Sequence, residues 1–176
     1  EKIGKAAKIA FNDLSNISVK KRDDVLKQFC IYLKNNSMLI LKENKKDILK
    51  AKKKNYKMVD RLKMSNEKIN QIIKSVQKII KFKNPLNKTL ESWRRPNGLV
   101  IKKVSIPLGV IGVIYESRPE VTSDISSLCF KSGNTVILRG GSEASNSNKI
   151  LFNLFRKALK KNNCNINCVQ FLKNQN

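Results

Sequence analysis

Two short apolar runs, Gly109–Tyr115 (GVIGVIY) and Thr135–Leu138 (TVIL), flank a stretch with helical patterning, and this arrangement constrains the fold more than any other feature. Continuous apolar runs of this length suit strands buried on both faces, as in a parallel sheet covered by helices. The stretch between them, Val121–Lys131, reads as a helix closed by Ser132-Gly133-Asn134, where Gly133 suits a left-handed cap. After the second run come Arg139-Gly140-Gly141 and a helix over Ser145–Lys161, with Ile150, Leu151, Leu154, Phe155 and Leu159 on its apolar side. Val169–Leu172 then reads as a third strand. The order β-α-β-α-β makes half of a doubly wound, Rossmann-like parallel sheet, so the fold class is α/β.

Before about residue 85 the apolar period is helical. Ile3, Ala6, Ala7, Ala10, Phe11 and Leu14 form one stripe, and Val25, Leu26, Phe29, Tyr32 and Leu33 form a second behind Ser18 as N-cap. Leu41, Ile48 and Ala51 fit a third helix, whose solvated end is marked by Lys52-Lys53-Lys54. Ser65 caps a fourth, carrying Ile69, Ile72, Ile73, Val76, Ile79 and Ile80 and ending before Pro85. Pro96-Asn97-Gly98 then turns Leu90–Arg95 into Leu99–Ile106 as a hairpin. The expected organisation is residues 1–88 as N-terminal helices, 89–106 as a hairpin arm and 107–176 as the βαβαβ unit.

The net charge is +24, from 37 Lys+Arg against 13 Asp+Glu, which raises the question of nucleic acid or an anionic membrane. Thirty of the basic residues are Lys, and Lys, Asn and Ile together make 70 of 176 residues, a bias that A- and T-rich codons produce. The charge is spread over the chain, and Arg forks and stacking aromatics are sparse, so a solvated Lys-rich surface is expected rather than a nucleic-acid or membrane footprint. No apolar run reaches the roughly 18 residues of a membrane span, and no signal peptide opens the chain, so a cytoplasmic location is expected. The first residue is Glu1 rather than Met, consistent with a processed or excised piece. Cys30, Cys129, Cys164 and Cys168, with no histidine anywhere, are expected to be reduced thiols and to hold no metal.

Ligands of doubly wound sheets bind at the carboxyl ends of the strands. Those ends are Tyr115-Glu116-Ser117-Arg118-Pro119 and Arg139-Gly140-Gly141-Ser142-Glu143. Each pairs a guanidinium with a carboxylate, and the second adds two glycines that let a ligand approach the backbone. Neither loop is a G-x-G-x-x-G or Walker motif, so phosphate or nucleotide binding and a pair of ordinary turns with surface ion pairs both stay open on spacing alone.

The stretch Pro107 to Ala144, PLGVIGVIYESRPEVTSDISSLCFKSGNTVILRGGSEA, resembles the gamma-glutamyl phosphate reductase (glutamate-5-semialdehyde dehydrogenase) family of the aldehyde dehydrogenase superfamily. The resemblance extends back through Pro96-Asn97-Gly98-Leu99 and Asp60-Arg61-Leu62 to the N-terminal helices, and forward to Val169-Gln170. The chain resembles an amino-terminal fragment that stops less than halfway through the family's usual length, with the catalytic domain missing. The resemblance implies NADPH-dependent reduction of L-glutamyl 5-phosphate to the semialdehyde with release of phosphate, in proline biosynthesis. A cysteine thiolate would displace phosphate to give a thioester that hydride reduces. None of the four cysteines here matches that nucleophile's motif, so the nucleophile is expected beyond residue 176 and the fragment alone is expected to be inactive. Cys129, on an apolar helix face with Ile125 and Leu128, reads as a buried structural thiol.

By position, the resemblance puts Arg139, Ser142 and Glu143 at the adenosine ribose of NADP, with Arg139 on its 2'-phosphate. The YESRPEV loop would face nicotinamide and substrate, making Glu116, Ser117, Arg118 and Glu120 candidates there. Family members often carry Asn at Glu120, and an ionised Glu cannot donate to an oxyanion. The resemblance also implies homo-oligomerisation through the Leu90–Ile106 hairpin and association with a glutamate kinase. Two alternatives to the reductase remain at this point: a non-catalytic nucleotide-binding module and a basic RNA-binding protein.

Overall fold

A computed structural model describes residues 1–172. Five helices come first: α1 (Lys2–Ser15), α2 (Val19–Asn35), α3 (Ser37–Lys53), the single turn α4 (Val59–Leu62) and α5 (Asn66–Lys81). The strands β1 (Thr89–Arg94) and β2 (Val100–Val104) follow, then β3 (Val110–Tyr115), α6 (Pro119–Lys131), β4 (Thr135–Gly140), α7 (Ser145–Lys161) and β5 (Val169–Phe171). β3, β4 and β5 lie side by side in that order and pair in parallel, Val110 opposite Thr135 and Val136 opposite Val169. The βαβαβ unit expected from the sequence is therefore present, with strands and crossovers where the periodicity put them.

Local chemistry accounts for the boundaries. Ser18 and Ser65 accept from the Lys21 and Lys68 amides at the starts of α2 and α5. Pro119 opens α6, two residues earlier than Val121, because the first helical position needs no amide donor. Past the end of α6, Gly133 takes φ +75°, where a Cβ would run into Leu86 and Arg22. At the tip of the hairpin the Gly98 amide donates to the Arg95 carbonyl at 2.9 Å, with Gly98 at φ +88°. β1 and β2 are antiparallel and nearly all of their residues are exposed, so the hairpin stands off the body as an arm.

A single large core joins the N-terminal helices to the sheet. Val25, Phe29 and Leu33 of α2, Ile72 and Val76 of α5, Phe130 of α6, and Leu151, Leu154 and Phe155 of α7 bury themselves against Val136 and Leu138 of β4. α1 lies on the opposite face, where Thr135 Oγ1 donates to the Ala7 carbonyl at 3.2 Å and Gln170 Nε2 to that of Ile3 at 2.9 Å.

One expectation fails. The Gly109–Tyr115 run was expected to be covered on both faces, yet only Ile111, Val113 and Tyr115 turn toward the core. Val110 is 40% exposed and Ile114 is 80% exposed, because α1 reaches the amino ends of the strands and no described element covers the rest of that face. The third helix also differs in detail. Its buried side is Ile40, Asn44, Asp47 and Ala51, two of them polar, while Leu41 and Ile48 are only half-buried.

Candidate functional site

The carboxyl ends of β4 and β5 and the first three turns of α7 enclose a cavity of about 640 Å³, within the roughly 300–1,000 Å³ of small-molecule sites. Gly140, Gly141 and Ser142 form its rim on the strand side, with Ser145 and Asn146 at the start of α7. Its wall is built from α7 by Lys149, Phe152, Asn153 and Arg156, and from β5 by Phe171. The Phe152 and Phe171 rings lie 5.9 Å apart, and the Arg156 guanidinium sits 5.3 Å over the Phe152 ring. Two cations, two hydroxyls and an aromatic–guanidinium stack suit a flat heterocycle that carries phosphate.

Gly140 is required by packing. A Cβ there would collide with the buried Asn148 amide and lie 2.9 Å from the Tyr115 ring. Tyr115 in turn shares a 2.6 Å hydrogen bond with the Thr122 hydroxyl, which donates to Asn148 Oδ1 at 3.1 Å. Burial drives the Tyr115 phenol up to about 12, so it stays protonated and the network stays neutral.

The residues expected at the site part company. Ser117, at the end of β3, is buried and donates to Glu143 Oε2 at 2.9 Å, and Ser142 Oγ donates to Glu143 Oε1 at 3.0 Å. Burial works to raise the Glu143 carboxyl, but a backbone hydrogen bond, then these two hydroxyls and nearby Lys54, together hold it below its usual range. Ser117, Ser142 and Glu143 thus tie the ends of β3 and β4 together. Glu116 turns outward to Arg61 at 2.8 Å instead of pairing with Arg118, which is exposed. Glu120 faces α5, lining a small hollow with Lys68, Ser75 and Asp124. Burial there, with Glu120 close by, raises the Asp124 carboxyl above its usual range, while the Ser75 hydroxyl, 2.9 Å away, opposes the rise. Arg139 is exposed on the face opposite Leu138, beside Ile114, and is absent from the cavity wall.

Sequence reasoning missed Lys149, Phe152, Asn153 and Arg156. Their spacing was the available signal: positions i, i+3, i+4 and i+7 of α7 form one stripe that starts beside the Gly140–Ser142 loop.

No described group of three or more His, Cys, Asp or Glu could hold a metal ion. No helix among the described residues is long and apolar enough to cross a membrane. The four thiols are all buried. Desolvation pushes Cys30 and Cys129 up to about 11 and Cys168 to about 12, and raises Cys164 as well. Thiols so placed are poor nucleophiles at neutral pH. A colorimetric thiol reagent at pH 7.5 should titrate all four at least about tenfold more slowly in the native chain than in guanidinium. A fast native thiol would identify one as reactive.

No family model matches the chain. It is 44% identical over 162 residues to a gamma-glutamyl phosphate reductase of Listeria welshimeri, a match that covers 91% of this chain and 39% of the relative. The crystal structure of a Thermotoga maritima gamma-glutamyl phosphate reductase superposes with a TM-score of 0.96 at 37% identity, over 99% of this chain and 43% of that one. An acetylating aldehyde dehydrogenase of Geobacillus thermoglucosidasius superposes with a TM-score of 0.72 at 12% identity over 99% of this chain and 36% of that one, which shows a shared fold. The chain spans about two fifths of the length of the curated relatives it matches.

Proposed function

Since the chain is related to the gamma-glutamyl phosphate reductases and shares their fold, we propose that it is the nucleotide-binding part of an enzyme that reduces L-glutamyl 5-phosphate to L-glutamate 5-semialdehyde and phosphate, with NADPH as reductant, in proline biosynthesis. The observation that carries the nucleotide half of this reading is the cavity at the carboxyl ends of β4 and β5. When bound, the cofactor would supply the hydride. The chain's own residues do the holding. Gly140 and Gly141 let the rim pack closely on Tyr115, Asn148, Ser117 and Glu143, and Ser142 offers a hydroxyl to the ribose. Phe152, Phe171 and Arg156 give the purine flat surfaces, and Lys149 and Arg156 balance phosphate charge. Glu143, anchored by Ser117 and Ser142, keeps the rim in place.

In this reading Arg139, which stands outside the cavity wall at the end of β4, keeps its 2'-phosphate role from the family resemblance, meeting the ligand only where the ribose leaves the cavity past that strand end. Arg118, exposed next to the end of β3, is the cation available to an acyl phosphate or carboxylate on the substrate side. The catalytic thiolate comes from elsewhere in the enzyme, since burial holds these four thiols protonated. By itself the chain therefore lacks reductase activity. The hairpin arm, with Leu90, Trp93, Leu99 and Val100 all exposed, serves association between copies.

Cofactor affinity tests the reading, measured for NADPH and NADH in a full-length reductase carrying this sequence. The double change Lys149→Ala/Arg156→Ala should weaken both cofactors by about 1.5–3 kcal/mol, because it removes charge-assisted contacts from the shared part of the ligand. Arg139→Ala should weaken NADPH by a similar amount and NADH much less. Unchanged affinity in the double variant would remove the cavity from the nucleotide site. Equal losses for both cofactors in Arg139→Ala would remove that residue from the 2'-phosphate.

A further inference from the structure

Asp47, midway along α3, is 1% exposed and makes no ion pair among the described residues. Its carboxylate instead accepts four hydrogen bonds, all from the first turn of α7. Oδ1 accepts from the Asn146 backbone amide at 3.1 Å and from Asn146 Nδ2 at 2.7 Å. Oδ2 accepts from the Ser147 amide and from the Ser147 hydroxyl, each at 2.7 Å. Asn44, nearly one turn earlier on α3, completes the clamp. It donates to Ser147 Oγ at 3.0 Å and to the Leu62 carbonyl at 2.7 Å, and accepts from the Met64 amide at 2.9 Å.

The start of a helix concentrates unpaired amides and the positive end of the dipole. In doubly wound sheets it is a common seat for a phosphate. In this protein the seat is filled by a carboxylate from a helix about a hundred residues earlier in the chain. We propose that Asp47 is a built-in anion that closes the amino terminus of α7 to phosphate and fixes the loop from Gly140 to Asn146, so that a nucleotide in the adjoining cavity must seat its diphosphate away from that terminus, farther along the helix toward Lys149 and Arg156.

Two features of the geometry support this. Asn146 lines the cavity and also bonds to Asp47 twice, so the carboxylate sets the position of the cavity's own wall. A phosphate arriving at the same amides would have to displace four hydrogen bonds and leave a buried carboxylate unpaired beside a second anion, which both desolvation and like-charge repulsion oppose. Asp47 touches no part of the cavity wall except through Asn146 and the start of α7, which makes it a positioning residue. The seating of the diphosphate rests on the nucleotide reading above; the closure of the α7 terminus does not.

The test follows the backbone amide of Ser147 by NMR in the 15N-labelled chain. In the wild type, inorganic phosphate at millimolar concentration should leave this amide unmoved. In Asp47→Ala the freed amide should shift on adding phosphate or formate. Formate should also raise the unfolding midpoint of the variant in a concentration-dependent way, and do so in the variant only. A phosphate-dependent shift of Ser147 in the wild type overturns the proposal, and so does an Asp47→Ala chain that folds but responds to neither anion. If the variant does not fold, the wild-type titration decides alone. Addition of NADPH separates the two readings. Shifts at Gly140, Gly141 and Phe152 with Ser147 still support the seating, and a displaced Ser147 overturns it. No shift at any of these residues would sink the nucleotide cavity, leaving the phosphate titration to judge Asp47.

Discussion

Phe155→Ala is expected to lose about 3–5 kcal/mol of folding stability, among the largest effects open to a single core change. Phe155 is 1% exposed at the centre of α7. Its ring lies 4.8 Å from Phe29 of α2 at 59°, and 5.9 Å from Phe130 of α6 in an edge-on arrangement. Truncation removes the buried ring and both aromatic contacts, and leaves a cavity between three helices and the sheet that rigid neighbours cannot fill. Urea unfolding followed by circular dichroism measures it as a lower midpoint with little change in slope. A loss below about 1 kcal/mol would show that the three helices do not share one cooperative core.

Lys131→Met should cost about 2–3 kcal/mol by a different route. Lys131 ends α6 and its side chain is 4% exposed. Its ammonium donates to the Asp23 carboxylate on α2 and, at 2.8 Å, to the Ile80 carbonyl in the last turn of α5. Methionine keeps most of the volume but leaves a carboxylate and a helix-end carbonyl without their donor. The Asp23 side chain is 20% exposed, so water recovers part of the loss, which keeps the figure below that of a fully buried pair. Asp23→Asn in the Lys131→Met background should restore more than half of it, because the uncompensated charge is then gone. The same urea series reads both variants, and a double variant no better than the single would show that the pair's charge is not what Lys131 supports.

How legible all this was in the sequence depended on whether the governing interactions were local. Helix periods, the Ser18 and Ser65 caps, the Pro96-Asn97-Gly98 turn and the alternation from β3 to β5 are set by neighbours along the chain, and the structure reproduces them. β3 was misread because an apolar run reports that a strand is suited to cover, not that a described element supplies it. Arg139 and Gly140 read as loop, yet they continue β4, since pairing with Ile114 and Tyr115 holds them in register. Asn44 and Asp47 escaped notice because they interrupt an already weak apolar stripe, and their partners at Ser147 lie about a hundred residues away. Ser117, Ser142 and Glu143 were found as site residues, but nothing in either loop announces that they bond to one another.

The bare face and edge of β3 have a colloidal consequence. Among the described residues this strand has a neighbour on one side only, and Ile114 and Val110 stand open on its uncovered face. Such an edge is a template for strand-to-strand sticking. The chain has no proline or inward charge within β3 to blunt it. What opposes aggregation is the net charge of +24, spread widely enough that two copies approaching in most orientations repel. The lysine-rich surface thus acts as a dispersant. Its protection shrinks as salt shortens the reach of the repulsion to about 8–10 Å.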